Sequence, residues 1–406
     1  MDVAVVGAGA SGIMAALQAA QNGASVSLYD HNHSLGRKLL VTGSGRCNLG
    51  NRAVASEKYA CADQGWMVAL LNAFGSADLL AMLGELGIPT YATDDGWYYP
   101  LSNAAHAMVD VLADNLRRAG VQLRLGTHVA AISRSAGGFT LLHHRDGQAI
   151  SEQFERVIVA AGGKAYPSLG SRGELYPALE KLGHRVEPVR PALAPVLVDL
   201  GDLKALQGVR LDVAAKLWEG TTLLGESLGN LIITAWGLNG PAVMDLSHLV
   251  ARHSQAELSL SLDLLAYHEE VFWPLQSRQK AKHASVGSLL SAFFAPKVVD
   301  FFLGQAGIPK ETGLEALTEP DYQRLLRSLR NLRLRVRGVK GFEHCQSSTG
   351  GVPVSEVWPE SCQSRLVAGL YLCGETLDVV GPCGGYNLHF AFASGALAGR
   401  AAALRH

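Results

Sequence analysis

The sequence predicts an α/β chain: a Rossmann-like dinucleotide-binding domain interrupted by an insertion that is β-rich first and helical after. Three observations predict it. The chain opens on a short, mostly β-branched run, Asp2–Val6, followed at once by Gly7-Ala8-Gly9-Ala10-Ser11-Gly12 and an alanine-rich stretch, Ile13–Gln21. Strand, Gly-x-Gly-x-x-Gly, helix is the order that a nucleotide-binding βαβ unit needs. Arg156–Ala161 and Leu370–Cys373 are two further continuous apolar runs, each closed by glycine, as strands buried on both faces of a parallel sheet are. Between them, Pro188, Pro191 and Pro195 punctuate the chain where an antiparallel, alternating pattern begins.

Each glycine of the first loop has an expected task. Gly7 allows the tight turn, Gly9 lets the backbone approach a pyrophosphate, and Gly12 lets helix and strand pack closely. The helix N-terminus at Ala10 and Ser11 offers N–H groups and a partial positive charge to phosphate. Ala24–Tyr29 reads as the second strand and delivers Asp30, where a carboxylate can accept from a ribose hydroxyl and disfavours a 2′-phosphate.

Bulk properties narrow the function classes. The chain has 406 residues, enough for two or three domains, a net charge of −1 and 17% charged residues. That balance supplies no argument for nucleic acid or an acidic partner. No apolar run reaches membrane-spanning length, and no basic region precedes the first apolar stretch. Cysteines 47, 61, 345, 362, 373 and 383 are scattered, without C-x-x-C or metal-ligand spacing. A reduced, cytoplasmic setting without a metal is expected.

After Asp30, Gly36, Gly43 and Gly45 fall close to Arg37, Lys38 and Arg46 in a loop with few bulky side chains. Such a loop can lie against a flat, charged ligand, its cations on a pyrophosphate, or it can be a solvated basic loop. The stretch GRKLLVTGSGRCN, this far behind GAGASG, resembles the signature of the BaiN/YhiN-like NAD(P)/FAD-dependent oxidoreductases, the aminoacetone oxidase family of FAD-binding flavoproteins. Val157–Gly163 (VIVAAGG), Trp236–Leu246 (WGLNGPAVMDL), Ser348–Glu356 (STGGVPVSE) and Gly369–Gly399 resemble later blocks of that family in the same order. The resemblance implies a non-covalent FAD and a fold of the two-dinucleotide-binding-domain flavoprotein type.

The resemblance carries cofactor contacts onto His31, Gly45, Arg46, Cys47 and Asn48 of the loop, and onto the backbone at Val129. Ala161, Gly162 and Gly163 follow, with Ala161 where the family has threonine. Glu375 or Asp378, after Gly374, would face the ribityl or pyrophosphate region. Gly384, Gly385, Tyr386, Asn387 and Leu388 would open the last helix, His389–Leu404, with its amides toward the flavin pyrimidine edge. Cys383 stands where the family has threonine.

The remaining elements follow in order. Trp66–Phe74, Ala77–Leu86 and Ala104–Arg118 carry helical spacing. Tyr91–Pro100 reads as an aromatic hairpin, either lining a pocket or packed on the surface. Val121–Leu125, Val129–Ser133 and Phe139–His143 alternate as strands. Ser168–Gly173 opens a helix, Glu174–Leu182, with a weaker case for a second anion site. The first domain is expected over 1–188 and 346–406. The insertion spans 189–345, with strands at Ala194–Leu200, Val209–Leu217 and Thr221–Leu228, and helices at Leu258–Lys282, Ser285–Leu303 and Tyr322–Leu332. Arg324, Arg327, Arg330, Arg333, Arg335, Arg337 and Lys340 form the one strong charge run. On a helix the first four share a face, read here as a solvated face rather than a phosphate contact.

The flavin carries hydride at N5. No second Gly-x-Gly-x-x-Gly marks a dedicated NAD(P)H domain, and the lack of C-x-x-C argues against disulfide reduction. Candidate acid–base or positioning groups are Tyr386, His389, Cys47 and Cys383. Three readings stay open. The first is an oxidoreductase on a small molecule, with NAD(P)H as a transient donor to an activated C=C or C=O bond, or oxidising a small amine with O₂ like an aminoacetone oxidase. The second is a flavin-dependent RNA-modifying enzyme, supported by the arginine run alone. The third is a non-enzymatic flavin-binding redox sensor. The residues identify neither the substrate nor the oligomeric state.

Overall fold

The continuous apolar runs assemble into one five-stranded sheet. Its order is Leu370–Leu372, Arg156–Val159, Asp2–Val6, Ser25–Asp30, Gln122–Leu125, and every neighbouring pair is parallel. The computed structural model describes residues 1–145, 147–268 and 284–404. The chain forms two units, one of Met1–Ala192 with Phe342–His406 and one of Leu193–Gly341. In a parallel sheet all strands end at one edge. That geometry sends the loops at Gly7, Asp30, Ala160–Gly163 and Cys373–Asp378 out beyond the same edge.

The first helix, Ala10–Gln21, is buried from Ala10 to Ala19 between the sheet and the last helix, Tyr386–Ala403. The two helices touch backbone to backbone. A Cβ on Gly395 would lie 2.2 Å from the Ser11 carbonyl oxygen, and one on Gly399 would lie 2.3 Å from that of Ala15. Residue numbers rise together along the contact, so the helices run parallel.

Antiparallel strands His128–Ser135, Gly138–Arg145 and Gln148–Phe154 fill the connection between Gln122–Leu125 and Arg156–Val159. The third of these was not expected, because a glutamate, Glu152, sits between Ile150 and Phe154 on its half-buried face and QAISEQF therefore reads as polar loop. Thr90–Ala92 and Trp97–Pro100 form the aromatic hairpin, which adds Gly50–Asn51 as a third strand. The stretch Gln64–Glu85 is long and apolar enough to cross a membrane by length and composition. The chain is extended at Phe74, which breaks it into helices Gln64–Ala73 and Ser76–Glu85. Each reaches about 15 Å, half of a ~30 Å hydrocarbon layer, and buries residues such as Leu70 and Leu83 in the core of the first unit.

The first unit keeps Glu187–Ala192, because that strand pairs antiparallel with Ser347–Gly351. The expected edge at 188 would have cut this pair, and the return at Phe342 also precedes the expected 346.

The second unit is a closed six-stranded barrel with its own core, in the order Val196–Val198, Gly237–Asn239, Thr222–Ile233, Arg210–Glu219, Leu258–Asp263, Leu332–Val339. Three expectations are corrected here. Leu258–Asp263 is a barrel strand rather than the start of a helix, since Leu258, Leu260 and Leu262 alternate inward; 269–282 lie outside the described residues. The basic run does not stay on one helix. Helix Glu319–Arg330 ends before Arg333, and Arg333, Arg335 and Arg337 sit on Leu332–Val339, facing outward opposite Leu334 and Val336. Ser285–Leu303 is two helices, Val286–Ser291 and Pro296–Ala306, separated before Pro296, whose fixed φ and missing N–H suit a helix start.

Candidate active site

The glycine loop is built by contacts that only glycine permits. Gly7 has φ 108°, and its Cβ would lie 2.3 Å from the Ala160 carbonyl oxygen; a Cβ on Gly12 would lie 1.7 Å from that of Gly7. A Cβ on Gly9 would meet nothing within 4 Å. Gly7 and Gly12 therefore serve the fold, whereas Gly9 borders open space at the start of the first helix. No side chain caps that helix, so its first-turn N–H groups are available to an anion.

Asp30 ends the second strand and grips the loop from below. Its Oδ2 accepts from the Ala8 N–H at 2.7 Å, and its Oδ1 accepts from the Asn32 backbone and side chain at 2.8 and 2.9 Å. Arg37 donates to Asn32 Oδ1 at 2.7 Å. His31 Nε2 is buried without a hydrogen-bond partner among the described residues. Val129 is buried on Leu141's sheet, at a bulge opposite His143, and none of the contacts described here ties it to the loop.

Behind the other strand ends lies a second cluster. Glu375 takes Lys38 on one oxygen at 2.6 Å, and the Ser348 N–H and hydroxyl on the other at 2.7 and 2.8 Å. Lys38 and Glu375 therefore neutralise each other. Gly163 lies against this cluster, for a Cβ there would meet Ser348 Oγ at 1.9 Å. Gly162, with φ 74°, turns the chain after Ala161. Asp378 accepts from the Gly350 N–H at 2.7 Å and from Thr349 at 3.1 Å. Gly374 has φ 63° and donates its N–H to Ser394 on the last helix at 2.9 Å. Ser348 lies in the quoted STGGVPVSE block without an assigned role, and Ser394 is missed altogether, because a lone serine in an apolar helix carries no local signal. The Gly395-x-x-x-Gly399 pair was legible as a close-packing pattern and was also missed.

The loop from Thr42 to Asn48 is the most contorted segment. Gly43, Ser44, Gly45 and Cys47 have φ of 56°, 58°, 83° and 63°. Strain of this kind in non-glycine residues collects at functional sites. The turn presents Arg46 outward, its guanidinium 4.5 Å from the Tyr99 ring centroid and 3.3 Å from the Tyr99 hydroxyl. Cys47 points inward and is fully buried; burial pushes its thiol up to about 11, against a smaller opposing hydrogen bond to Thr42. It is a neutral thiol at neutral pH.

The last helix begins at Tyr386 after Gly384 and Gly385, which have φ of 107° and 96°. Tyr386 is buried, its hydroxyl donating to the Ala53 carbonyl at 3.4 Å while its own carbonyl accepts from Tyr59 at 3.0 Å. Asn387 clamps Gly381, accepting its N–H at 2.9 Å and donating to its carbonyl at 2.7 Å. Asn51 donates to the Gly384 carbonyl at 3.0 Å. Leu388 is partly buried, and Cys383 is part-exposed beside the glycines. His389 is fully buried, and burial pushes its imidazole down to about 4, against smaller pulls from the Phe74 backbone and Asp78.

The parallel helices relate these two ends. Gly395 lies beside Ser11, so the last helix starts about eight residues further forward than the first, or about 12 Å. Two uncapped helix N-termini therefore face the same way along one unit, one behind the other. An elongated ligand with an anion in the middle and a polar ring at one end fits that arrangement, and FAD is such a ligand. The open space at Gly9 is consistent with it.

Comparison with known proteins gives the following. The family model described as HI0933-like protein Rossmann domain matches residues 1–401. A 3-dehydro-bile acid delta(4,6)-reductase of Clostridium scindens is 35% identical over 410 residues, covering 99% of each chain. A ribosomal RNA dihydrouridine synthase of Escherichia coli is 29% identical over 97% of this chain and 96% of its own. Among solved structures, a 3-ketosteroid-delta4-(5alpha)-dehydrogenase of Rhodococcus jostii shares the fold with a TM-score of 0.53 at 14% identity, covering 100% of this chain and 97% of that one.

Proposed function

We infer the reaction from one premise: the chain belongs to the HI0933-like Rossmann family, and it is an FAD-dependent oxidoreductase. We propose that it saturates a carbon–carbon double bond conjugated to a carbonyl in a small molecule, with NAD(P)H as reductant. The observation that carries this reading is the 35% identity over the full length of a 3-dehydro-bile acid delta(4,6)-reductase. That name and the name dihydrouridine synthase describe one kind of chemistry, the addition of two hydrogens across a C=C bond polarised by a carbonyl. NAD(P)H supplies one hydride and solvent one proton, so two electrons pass to the acceptor and NAD(P)⁺ is released.

When bound, FAD supplies the hydride-transfer chemistry between donor and acceptor. The chain's own residues bind and orient. The first-turn N–H groups after Gly9 would hold the pyrophosphate, with Asp30 keeping their loop in place and Arg37 and Arg46 as nearby cations. The N-terminus of the last helix would favour negative charge at the ring edge facing it. The Lys38–Glu375–Ser348 cluster would hold Gly163 and Gly374 in place beneath the ligand. Among the candidate proton donors, Cys383 is part-exposed, whereas Cys47 and Tyr386 are buried. Cys383 is therefore the group to replace first.

A second reading, reduction of uridine in ribosomal RNA, has the Escherichia coli relative and a Haemophilus influenzae relative, 28% identical, in its favour. Against it, four arginines of the basic run face acids: Arg324 with Asp321, Arg330 with Asp263, Arg335 with Glu257 and Arg337 with Asp199. Anaerobic titration of the yellow protein with NADH and NADPH tests the donor, with bleaching of the flavin band as the expected result. The reduced protein is then offered 3-oxo-4-ene steroid acids and unmodified ribosomal RNA in parallel. Reoxidation by the steroid acids supports the first reading, and reoxidation by RNA alone replaces it with the second. If neither nicotinamide bleaches the flavin while small amines do, the protein is an oxidase and both readings fail.

A further inference from the structure

One cation of the basic loop is fixed in place yet has no acid. Arg46 is exposed, between Ser44 and Cys47 at φ 58° and 63°. Its guanidinium lies 4.5 Å from the Tyr99 ring centroid. It donates to the Tyr99 hydroxyl at 3.3 Å and to the Gly43 carbonyl at 3.4 Å. Tyr99 is buried, so the platform under the guanidinium is held by the core. All of these contacts are to neutral groups, and no carboxylate pairs with Arg46 among the described residues. Ordering so long a side chain costs rotamer entropy. Here the fold has already ordered it, and a planar fork held in one orientation is ready for an anion that accepts two N–H groups at once.

The surroundings of Arg46 are open and apolar. A Cβ on Gly45 would meet nothing within 4 Å, which leaves room beside the guanidinium. Gly43 joins loop and hairpin, for a Cβ there would lie 3.1 Å from the Tyr99 ring. Leu40 and Val41 stand just before Gly43, and Leu101 stands two residues after Tyr99; all three are large apolar side chains left exposed. Apolar surface rimmed by a polar group marks a binding site. None of the Arg46 contacts reaches Gly9 or the first helix, where the pyrophosphate is assigned. We propose that Arg46 takes a carboxylate of the substrate, an apolar ring compound bearing an acid group, while Leu40, Val41 and Leu101 lie along its apolar body. Arg46 is then a specificity-determining residue. The proposal rests on the reductase reading above and adds to it a charge that the polarised double bond does not itself require.

The test compares an acid with its ester. Full-length, FAD-loaded protein is reduced anaerobically with dithionite and reoxidised by a 3-oxo-4-ene steroid acid or by the methyl ester of the same acid. Flavin absorbance gives the half-saturating concentration and the limiting rate, and flavin fluorescence gives FAD affinity. Wild type should half-saturate with the acid at a concentration about tenfold or more below that for the ester, the size of one charge-assisted pair. Arg46→Gln should erase that difference by raising the value for the acid, with a smaller effect on the limiting rate and with FAD retained. Arg46→Lys, which keeps the charge without the fork, should restore part of the preference. Equal half-saturation by acid and ester in wild type overturns the proposal and leaves the reductase reading standing. Loss of FAD affinity in Arg46→Gln with the acid preference intact also overturns it, and gives Arg46 to the cofactor's phosphates. Should Arg46→Gln not fold, wild type and Arg46→Lys still decide. If neither acid nor ester reoxidises wild type, the reductase reading itself falls, and the proposal with it.

Discussion

Gly395→Ala should destabilise the first unit and loosen the cofactor together. The added methyl would sit 2.2 Å from the Ser11 carbonyl oxygen and 2.9 Å from the Ser11 Cα, where ordinary contact begins near 3.4 Å. The obstructing atoms are backbone, so no rotamer change relieves the clash, and the helices must part by about 1 Å. Alanine gains about 1 kcal/mol over glycine in a helix interior. Overpacking costs about 1–3 kcal/mol, and a clash that only backbone movement relieves falls at about 2–3 kcal/mol of that range. The net expectation is a loss of about 1–2 kcal/mol, or roughly 3–6 °C in Tm for a domain of this size. Ser11 also belongs to the glycine loop, so FAD affinity should fall with stability. Gly84→Ala is the control: it lies in helix Ser76–Glu85 of the same unit with nothing within 4 Å of its Cβ, and should gain about 0.5–1 kcal/mol. Thermal denaturation at fixed FAD, with flavin fluorescence for affinity, reads both. If Gly395→Ala is as stable as wild type and keeps its flavin, the backbone-contact reasoning is wrong.

Gly9→Val combined with Asp30→Ala should abolish FAD retention; full flavin absorbance in the purified double variant would refute the loop's assigned role. Gly9→Val alone should fold normally, because its Cβ faces open space, and circular dichroism of the flavin-free protein checks this. Glu375→Ala leaves Lys38 and the Ser348 N–H without their shared carboxylate, and should cost about 1–3 kcal/mol in urea denaturation. His389 stays neutral down to about pH 4 in the folded protein but binds a proton below about 6.5 when unfolded. Acid therefore favours the unfolded chain, and stability should fall from pH 6.5 toward 4 by at most about 3 kcal/mol, a slope that His389→Gln should flatten. A thiol reagent at pH 8 should label the part-exposed Cys61 and Cys383 quickly and the buried Cys47, Cys345, Cys362 and Cys373 slowly; fast labelling of Cys47 would contradict its burial.

The nucleotide-binding half was legible because its information is local. Gly7, Gly9 and Gly12 announce a turn that few other residues could make, and the apolar runs at Asp2–Val6, Arg156–Val159 and Leu370–Leu372 announce strands buried on both faces. Other outcomes depended on partners far away in the chain. Whether Leu258–Asp263 is helix or strand was decided by Arg210–Glu219 and Leu332–Val339 closing a barrel on either side of it, which its own short apolar alternation could not reveal. The arginine run looked like one face because the break after Arg330 is set by barrel pairing rather than by a proline or glycine signal. At the site, the glycine motif marks Asp30, the basic loop marks Lys38, and the family resemblance marks Asn48 and either Glu375 or Asp378. Only the folded chain shows that Lys38 and Glu375 neutralise each other, that Asp30 holds the loop at Ala8, and that the Asn48 oxygen is left without a donor. Hydrogen bonds between residues hundreds of positions apart leave no periodicity in the sequence, so they become visible only when the sheet brings the strand ends to one edge.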